Sequence, residues 1–507
     1  MDTSKIPSFV SHVTKQLQNA GFEAYLVGGC VRDTIRGFAP KDWDITTNAR
    51  PEQIIATFPD LKTVNENDFG TVTILNMPPE AEEAVMRETP DLSNQVQITT
   101  YRSEGSYSDV RRPDSVSYET DVTKDLERRD FTMNAIAWDP FGKPQDSAYK
   151  GHVIDPFGGI KDIKDKSIRC VLYPDVRFKE DALRMLRAVR FSTTLGFVVT
   201  HETFESIVTN ADLLKHISGE RIRDEFIKMI DSDAPAAGVD MLQKTGLLKH
   251  IIPELYEGIG CEQKGAHIYD VYDHLLHALQ HAADKKFSTA IRLTALFHDI
   301  GKPATRRYDA KKDKYTFFGH EVVGARMTKR IMERLRFSRE TTDLVVSLVR
   351  NHMFFSDTEQ ITLSAVRRII QKVSVEHIWE LMEVRECDRV GMKKAEAPYR
   401  LRKYHAMIEE ALHDPISVAQ LKIDGKYLME VLHMKPSPRM GWILHALLEE
   451  VLEDPALNTL EALSERAQDL DELEDKDLKV LGEKGKREKE IAEEGEVKKL
   501  RDKHKVK

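Results

Sequence analysis

Two carboxylates spaced Asp-x-Asp follow a Gly-Gly turn in the stretch LVGGCVRDTIRGFAPKDWDITTNA, Leu26 to Ala49. This is a layout suited to nucleotidyl transfer. Gly28 and Gly29 end an apolar strand, and VRDTIRG reads as a short helix whose first N–H groups and dipole would attract a triphosphate. Arg32 would add a fixed charge to that cradle. Asp42 and Asp44 flank Trp43 where the chain turns β-like, and on a strand residues i and i+2 point to one side, about 6–7 Å apart. Two hard oxygen ligands so placed can hold a pair of Mg²⁺ ions, one activating an RNA 3′-hydroxyl and the other bridging the incoming phosphates. Each half alone also has a plain reading, as a turn or as solvated surface charge.

Two further groups carry polar chemistry. In DLERRDFTMNAIAWD, Asp130 can accept from a ribose 2′-hydroxyl and Arg129 can reach a phosphate, with Asn134 assisting or bonding backbone; the alternative is a surface Asp–Arg pair. EDALRMLRAVR has helical spacing, with Glu180, Arg184 and Arg187 at steps of four and three and with Asp181 and Arg184 on one face. A carboxylate there would accept from the exocyclic amine that cytosine and adenine share, and a guanidinium would donate to the adjacent ring nitrogen. The alternative is an exposed, salt-bridged helix.

The elements that must position these groups are β-rich early and helical later. Strand signals lie at Ala24–Val27, Trp43–Thr47, Thr71–Leu75 and Val96–Tyr101, and beyond about residue 175 the pattern is helical almost throughout. The fold class is therefore α+β, a small mixed β-sheet followed by a long all-α portion. Ile6, Phe9, Val10, Val13 and Leu17 make an amphipathic helix stopped near Gly21, not a signal peptide. At 507 residues the chain calls for two to four domains, and no apolar run approaches the roughly 20 residues of a membrane span. Four widely spaced cysteines exclude a zinc ribbon and a disulfide framework, which places the chain in a reducing cytoplasm. A net charge of −9 means that RNA contact must come from local patches such as Lys161, Lys164, Lys166 and Arg169. Met77 to Asn94 reads as a solvent loop, and 466–507 as a disordered or lone solvated extension.

Taken in order, GGCVRD with PKDWDITT, RRDFTMNAIAWD, DPFGGIKDI (Asp155 to Ile163), EDALRMLRAVRF and ISGERIRDEF (Ile217 to Phe226) resemble the five motifs of the bacterial class II CCA tRNA nucleotidyltransferase and poly(A) polymerase family, fused to an HD domain. The resemblance implies a polymerase-β-like nucleotidyltransferase head at 1–142, an all-α neck at 143–257 for base recognition and RNA binding, an HD body at 258–400 and a helical tail at 401–465. It implies Asp42 and Asp44 as the catalytic Mg²⁺ ligands and Gly28, Gly29, Arg32, Arg129, Asp130, Asn134, Asp181, Arg184 and Arg187 as nucleotide-binding residues. Tyr101 to Val116 looks like the loop used in switching from C to A, and the tail lysines Lys422, Lys426 and Lys435 can touch a phosphate backbone. One departure from the family pattern is Gln97, where many relatives carry an acid, which implies two carboxylates, not three, for the metals.

A second catalytic set, His274, His298, Asp299, His320, His352 and Asp388, resembles the ligand series of HD phosphohydrolases, and such donors suit Ni²⁺, Mn²⁺, Fe²⁺ or Mg²⁺, with enough of them for two ions. The implied activity is template-independent addition of C, C and A to tRNA from CTP and ATP, with no membrane and no evident protein partner. Alternatives are a poly(A) polymerase, a CC- or A-only adding enzyme, or an HD phosphohydrolase whose head binds RNA.

Overall fold

Val27 stands opposite Asp44 in the strand register that organises the first part of the chain. The computed structural model describes residues 3–65, 70–75, 95–105, 115–143, 149–263, 267–311, 313–353, 362–392, 398–414 and 417–482, in two units, Met1–Ile252 and Pro253–Lys507. The whole Met77 to Asn94 loop, the Ser106 to Asp114 part of the segment expected to switch from C to A, and residues 483–507 lie outside the described residues.

In the first unit, strands β1 (Ala24–Val27), β2 (Asp44–Thr47), β3 (Lys62–Asn65), β4 (Thr71–Leu75), β5 (Gln95–Thr100), β8 (Ala137–Asp139) and β9 (His152–Ile154) form a mixed sheet in the order β3-β4-β5-β2-β1-β8-β9. Alternation explains its burial: Val96 and Ile98 of β5 are inside while Gln97 between them is exposed. Within this sheet only β2 and β5 run parallel, and their register sets Gln97 beside Asp44. The short hairpin of β6 (Arg102–Glu104) and β7 (Val116–Tyr118) stands apart. The amphipathic helix Ser8–Asn19 buries Phe9, Val10, Val13 and Leu17, and the chain leaves it through Gly21 at φ +90°. Sequence signals located β1, β2, β4 and β5; β3, β8 and β9 were not marked by them.

The rest of the unit is mainly helical, with one short parallel pair, Ser167–Ile168 with Val198–Val199. Leu183–Leu195 packs on Gly219–Ile230, with Leu186, Val189, Phe226 and Met229 fully buried, and Gly196 in the left-handed region closes the first of these helices.

The second unit is a stack of helices around one apolar core that includes Ala278, Ile291, Leu348, Ile370, Leu381, Tyr404, Leu447 and Leu470. Asp270, Ser288, Ser338 and Thr362 cap the helices Val271–Asp284, Thr289–Phe297, Arg339–Asn351 and Leu363–Val373 by accepting a backbone N–H in the first turn. The folded chain runs past 465, against expectation: Leu460–Asp471 and Asp475–Gly482 bury Ala467, Leu470 and Leu478, and Arg439 ties them down through Asp471 and Asp475. Their charge hid a narrow apolar stripe sufficient for one-sided packing. None of the described helices is long and apolar enough to cross a membrane.

Gly301, which precedes the short helix Lys302–Thr305, lies against the helix His320–Arg334. A Cβ on Gly301 would collide with the His320 carbonyl oxygen and sit 2.6 Å from the Gly324 nitrogen, whereas a Cβ on Gly324 would meet its nearest atoms at 3.4 to 3.7 Å. Gly301→Ala should therefore destabilise this unit by about 1–3 kcal/mol. Gly324→Ala, in a helix interior, should be neutral or stabilising by up to ~1 kcal/mol. Thermal unfolding of the two variants gives the comparison, and equal losses would contradict the packing described.

Candidate active site and metal centre

Gly28 sits at φ +80°, ψ −137°, a backbone conformation closed to residues with a Cβ, and opens the seven-residue helix Gly29–Ile35. A Cβ there would lie 3.5 Å from Asp44 Oδ2 and 3.4 Å from Arg129 Nη1. The glycine thus leaves a space faced by one carboxylate and one guanidinium. Arg129 is held in place by Asp125, which accepts from its Nη2 at 3.1 Å, from Arg128 Nε at 3.0 Å and from Thr46 Oγ1 at 3.1 Å. Asp125 is fully buried; burial alone would raise its pKa, but Arg128 and Arg129 outweigh it and hold the carboxyl low. Asp44 is the opposite case. Burial pushes its pKa up, Asp42 adds to the rise, and Arg129 only partly offsets it. A cation would relieve both raising effects, so the pair fits a metal ion. Asp42 is exposed and lies two residues before the strand begins at Asp44, close enough for its charge to act on Asp44.

Behind this space a buried polar chain joins four of the sequence motifs. Arg32 Nη1 donates to Asn134 Oδ1 at 2.8 Å, and Asn134 Nδ2 to Asp130 Oδ1 at 3.1 Å. The same Oδ1 accepts the Phe131 N–H at 2.8 Å, and Oδ2 accepts Arg187 Nε at 2.8 Å and Nη2 at 2.6 Å. Arg187 continues to Glu225 at 3.7 Å, and Glu225 binds Arg190 at 2.5 Å. Asp130 therefore has donors at all of its roughly four lone-pair sites. A ribose hydroxyl can reach it only by displacing one of them. Arg32 is also spent, its Nε and Nη2 on Asp33 at 2.9 and 2.8 Å.

Asp181 is not on a helix. It lies at a break, φ −140°, ψ 103°, after Pro174–Glu180 and before Leu183–Leu195. Nor does it pair with Arg184, whose Nη1 donates to Glu180 Oε2 at 2.7 Å and Nη2 to the Arg128 carbonyl at 2.8 Å. Arg221 holds Asp181 instead, at 3.2 and 2.7 Å. Asp125 and Arg221 are the residues that sequence reading passed over. The i, i+3, i+4 spacing of Asp125, Arg128 and Arg129 was a usable signal for the first; Arg221 lay within a quoted motif with nothing local to single it out.

In the second unit all six expected ligands converge in two groups that share Asp299: His274, His298, Asp299 and Asp388, and Asp299, His320 and His352. His274 and His298 face each other through Nε2 at 3.1 Å, and His320 and His352 at 3.3 Å. His298, His320 and His352 each place Nδ1 against the carbonyl three residues earlier, at 2.8, 2.7 and 2.6 Å. That contact keeps the proton on Nδ1 and aims Nε2 inward. Both Asp299 oxygens are buried without an aligned hydrogen-bond donor, although Lys302 Nζ stands 2.5 Å from Oδ2 and His320 Nε2 3.2 Å from Oδ1. Burial would raise the Asp299 pKa, yet Lys302 and His298 hold it well below the carboxylate range. Convergent imidazoles around an ionised, poorly satisfied carboxylate fit divalent cations. Lys302 and its partner Gln263, 2.7 Å apart, were not foreseen, although Lys302 follows Asp299 by one helical turn.

Comparison with known proteins agrees with this layout. Residues 24–169 match the poly A polymerase head domain, 196–258 the probable RNA and SrmB-binding site of polymerase A, and 266–388 the HD domain. These define a polymerase-type nucleotidyltransferase joined to an HD domain. The chain belongs to the CCA-adding enzyme family: it is 32% identical over 460 residues to the CCA-adding enzyme of Ligilactobacillus salivarius (strain UCC118), covering 90% of this chain and 95% of that one. Identity to the CCA-adding enzyme of Geobacillus thermodenitrificans (strain NG80-2) is 41% over 240 residues, 47% of this chain and 53% of that protein, so the chain spans about half the length of this relative. The crystal structure of Bacillus stearothermophilus CCA-adding enzyme in complex with CTP matches with a TM-score of 0.63 at 25% identity, over 93% of this chain and 99% of that one.

The Asp130 network has a pH signature. Burial opposes ionisation, but Arg187 and Asn134 outweigh it and lower the Asp130 pKa to about 2. A carboxylate with a depressed native pKa stabilises the fold above its unfolded pKa of about 4, by about 2 kcal/mol, and loses this as pH falls towards 2. Asp130→Asn should therefore be clearly less stable than wild type at pH 6, with the gap narrowing below pH 4. Urea unfolding across that range tests it, and a pH-independent gap would count against the network.

Proposed function

We propose that this chain adds C, C and A to the 3′ end of tRNA, using CTP and ATP and releasing pyrophosphate. The RNA 3′-oxygen forms a bond to the α-phosphorus while the bond from that phosphorus to the pyrophosphate oxygen breaks. The carrying observation is the side-chain-free space at Gly28, faced by Asp44 and Arg129, in a chain whose full-length relative is a CCA-adding enzyme. In this reading Asp42 and Asp44 would hold Mg²⁺, which would supply charge neutralisation at the phosphates and lower the pKa of the attacking hydroxyl. Arg129, fixed by Asp125, reaches a phosphate oxygen; Gly28 and Gly29 let the triphosphate approach the backbone; Arg32, Asn134, Asp130 and Arg187 hold the neck helix against the head. Asp181, at the helix break, meets the base, with Arg184 shaping the wall beside it. The chain's part is mainly positioning and fixed charge.

Purified protein offered tRNA lacking CCA, with each nucleotide singly and then in mixture, should yield products ending in CCA. Oligo(A) tails, or addition stopping at CC, would favour the other members of the family. Asp42→Ala or Asp44→Ala should lower incorporation by at least a thousandfold while tRNA binding changes only a few-fold, because the carboxylates act at the reacting phosphate and the RNA contacts lie elsewhere. Near-normal turnover in either variant would remove the assignment.

The six convergent ligands in the second unit favour an additional reading, a metal-dependent phosphoester hydrolase using Ni²⁺, Mn²⁺ or Fe²⁺. Replacing His298 and Asp299 together by Ala should remove bound metal and hydrolysis of a 2′,3′-cyclic phosphate while sparing CCA addition. Wild-type protein purified without chelators that contains no metal, and hydrolyses nothing when Ni²⁺ or Mn²⁺ is supplied, would rule this reading out.

A further inference from the structure

We infer that Arg221 sets base choice by leaving the Asp181 carboxylate a single free acceptor position. The inference rests on the reading above that Asp181 meets the base. A carboxylate offers about four lone-pair sites, two on each oxygen. Asp181 Oδ1 accepts the Leu183 N–H at 3.1 Å and Arg221 Nη1 at 3.2 Å, which fills it. Oδ2 accepts Arg221 Nη2 at 2.7 Å and has one site left. The pair is partly open, with side-chain exposures of 27% for Arg221 and 19% for Asp181, so that remaining site can be reached by a ligand.

The geometry is fixed on both sides. Arg221 stands in the first turn of Gly219–Ile230, whose Ile222, Phe226 and Met229 are buried and whose Glu225 binds Arg190 and approaches Arg187 on Leu183–Leu195. Asp181 Oδ1 itself accepts the first N–H of that Leu183–Leu195 helix. The planar fork of the guanidinium thus locks the carboxylate plane against the helix end it bonds, which a single ammonium donor could not do. One outward lone pair welcomes the exocyclic amine of cytosine or adenine and repels the carbonyl oxygen of uracil or guanine. A carboxylate released from Arg221 could turn, expose its other oxygen, or take up a water that donates to a carbonyl. Arg221 is accordingly a positioning residue: it touches Asp181, not the base.

The experiment measures kcat/KM for CTP, ATP, UTP and GTP on tRNA lacking CCA, for wild type, Arg221→Gln and Arg221→Lys. In Arg221→Gln the C-over-U and A-over-G ratios should fall on the order of tenfold, with Arg221→Lys between it and wild type. A helix-supporting role alone would lower all four values together and leave the ratios unchanged, and that result overturns the inference. If Arg221→Gln does not fold, Arg221→Lys carries the test by the same ratios. Wild-type protein that adds no C or A to tRNA would instead remove the reading beneath it.

Discussion

A carboxylate buried in protein must be surrounded by donors or give up its charge, and in the first unit Asp130 answers that demand with groups from distant parts of the chain. Its partners are the next residue's N–H, an asparagine four residues on, and an arginine 57 positions away on a neck helix. Through that asparagine the chain of contacts reaches Arg32 beside the Gly-Gly turn, and through the arginine it reaches Glu225. The head and the neck helices are thus tied together through one buried polar network. Motifs that appear separate along the sequence are one electrostatic object in space.

The second unit follows the same rule with different partners. Asp299 is surrounded by Lys302 and four imidazoles, but their geometry does not satisfy its oxygens as donors would. Imidazole Nε2 atoms face each other across 3.1 and 3.3 Å. Where Asp130 is closed by protein groups, Asp299 is left open to a cation. The contrast separates a carboxylate that organises a fold from one that organises a ligand.

Much of this was legible in the sequence because the informative groups are close together there. Gly28 and Gly29, the Asp-x-Asp pair and the His298-Asp299 pair are local signals, and the helices and strands around them follow from periodicity. What escaped was non-local or depended on backbone detail. The clamp of Arg221 on Asp181 joins residues 40 apart, and helical spacing suggested Arg184 as its partner because the break at Asp181 interrupts an otherwise continuous pattern. Asp42 lies two residues before the strand that Asp44 begins, a boundary that periodicity does not fix to the residue. The helices beyond residue 465 were missed because a composition dominated by charge concealed three buried side chains.

The imidazole–carbonyl contacts in the second unit carry a consequence for exchange. Because His298, His320 and His352 are already oriented by the backbone turns that precede them, their geometry belongs to the fold and is not created by the ion. A small domain that folds only around its metal loses its shape when stripped of it. Here a large apolar core supports the helices independently, so loss or exchange of an ion at these ligands would not require the chain to unravel. The identity of any ion held there would then follow the supply around the protein as much as the donors within it.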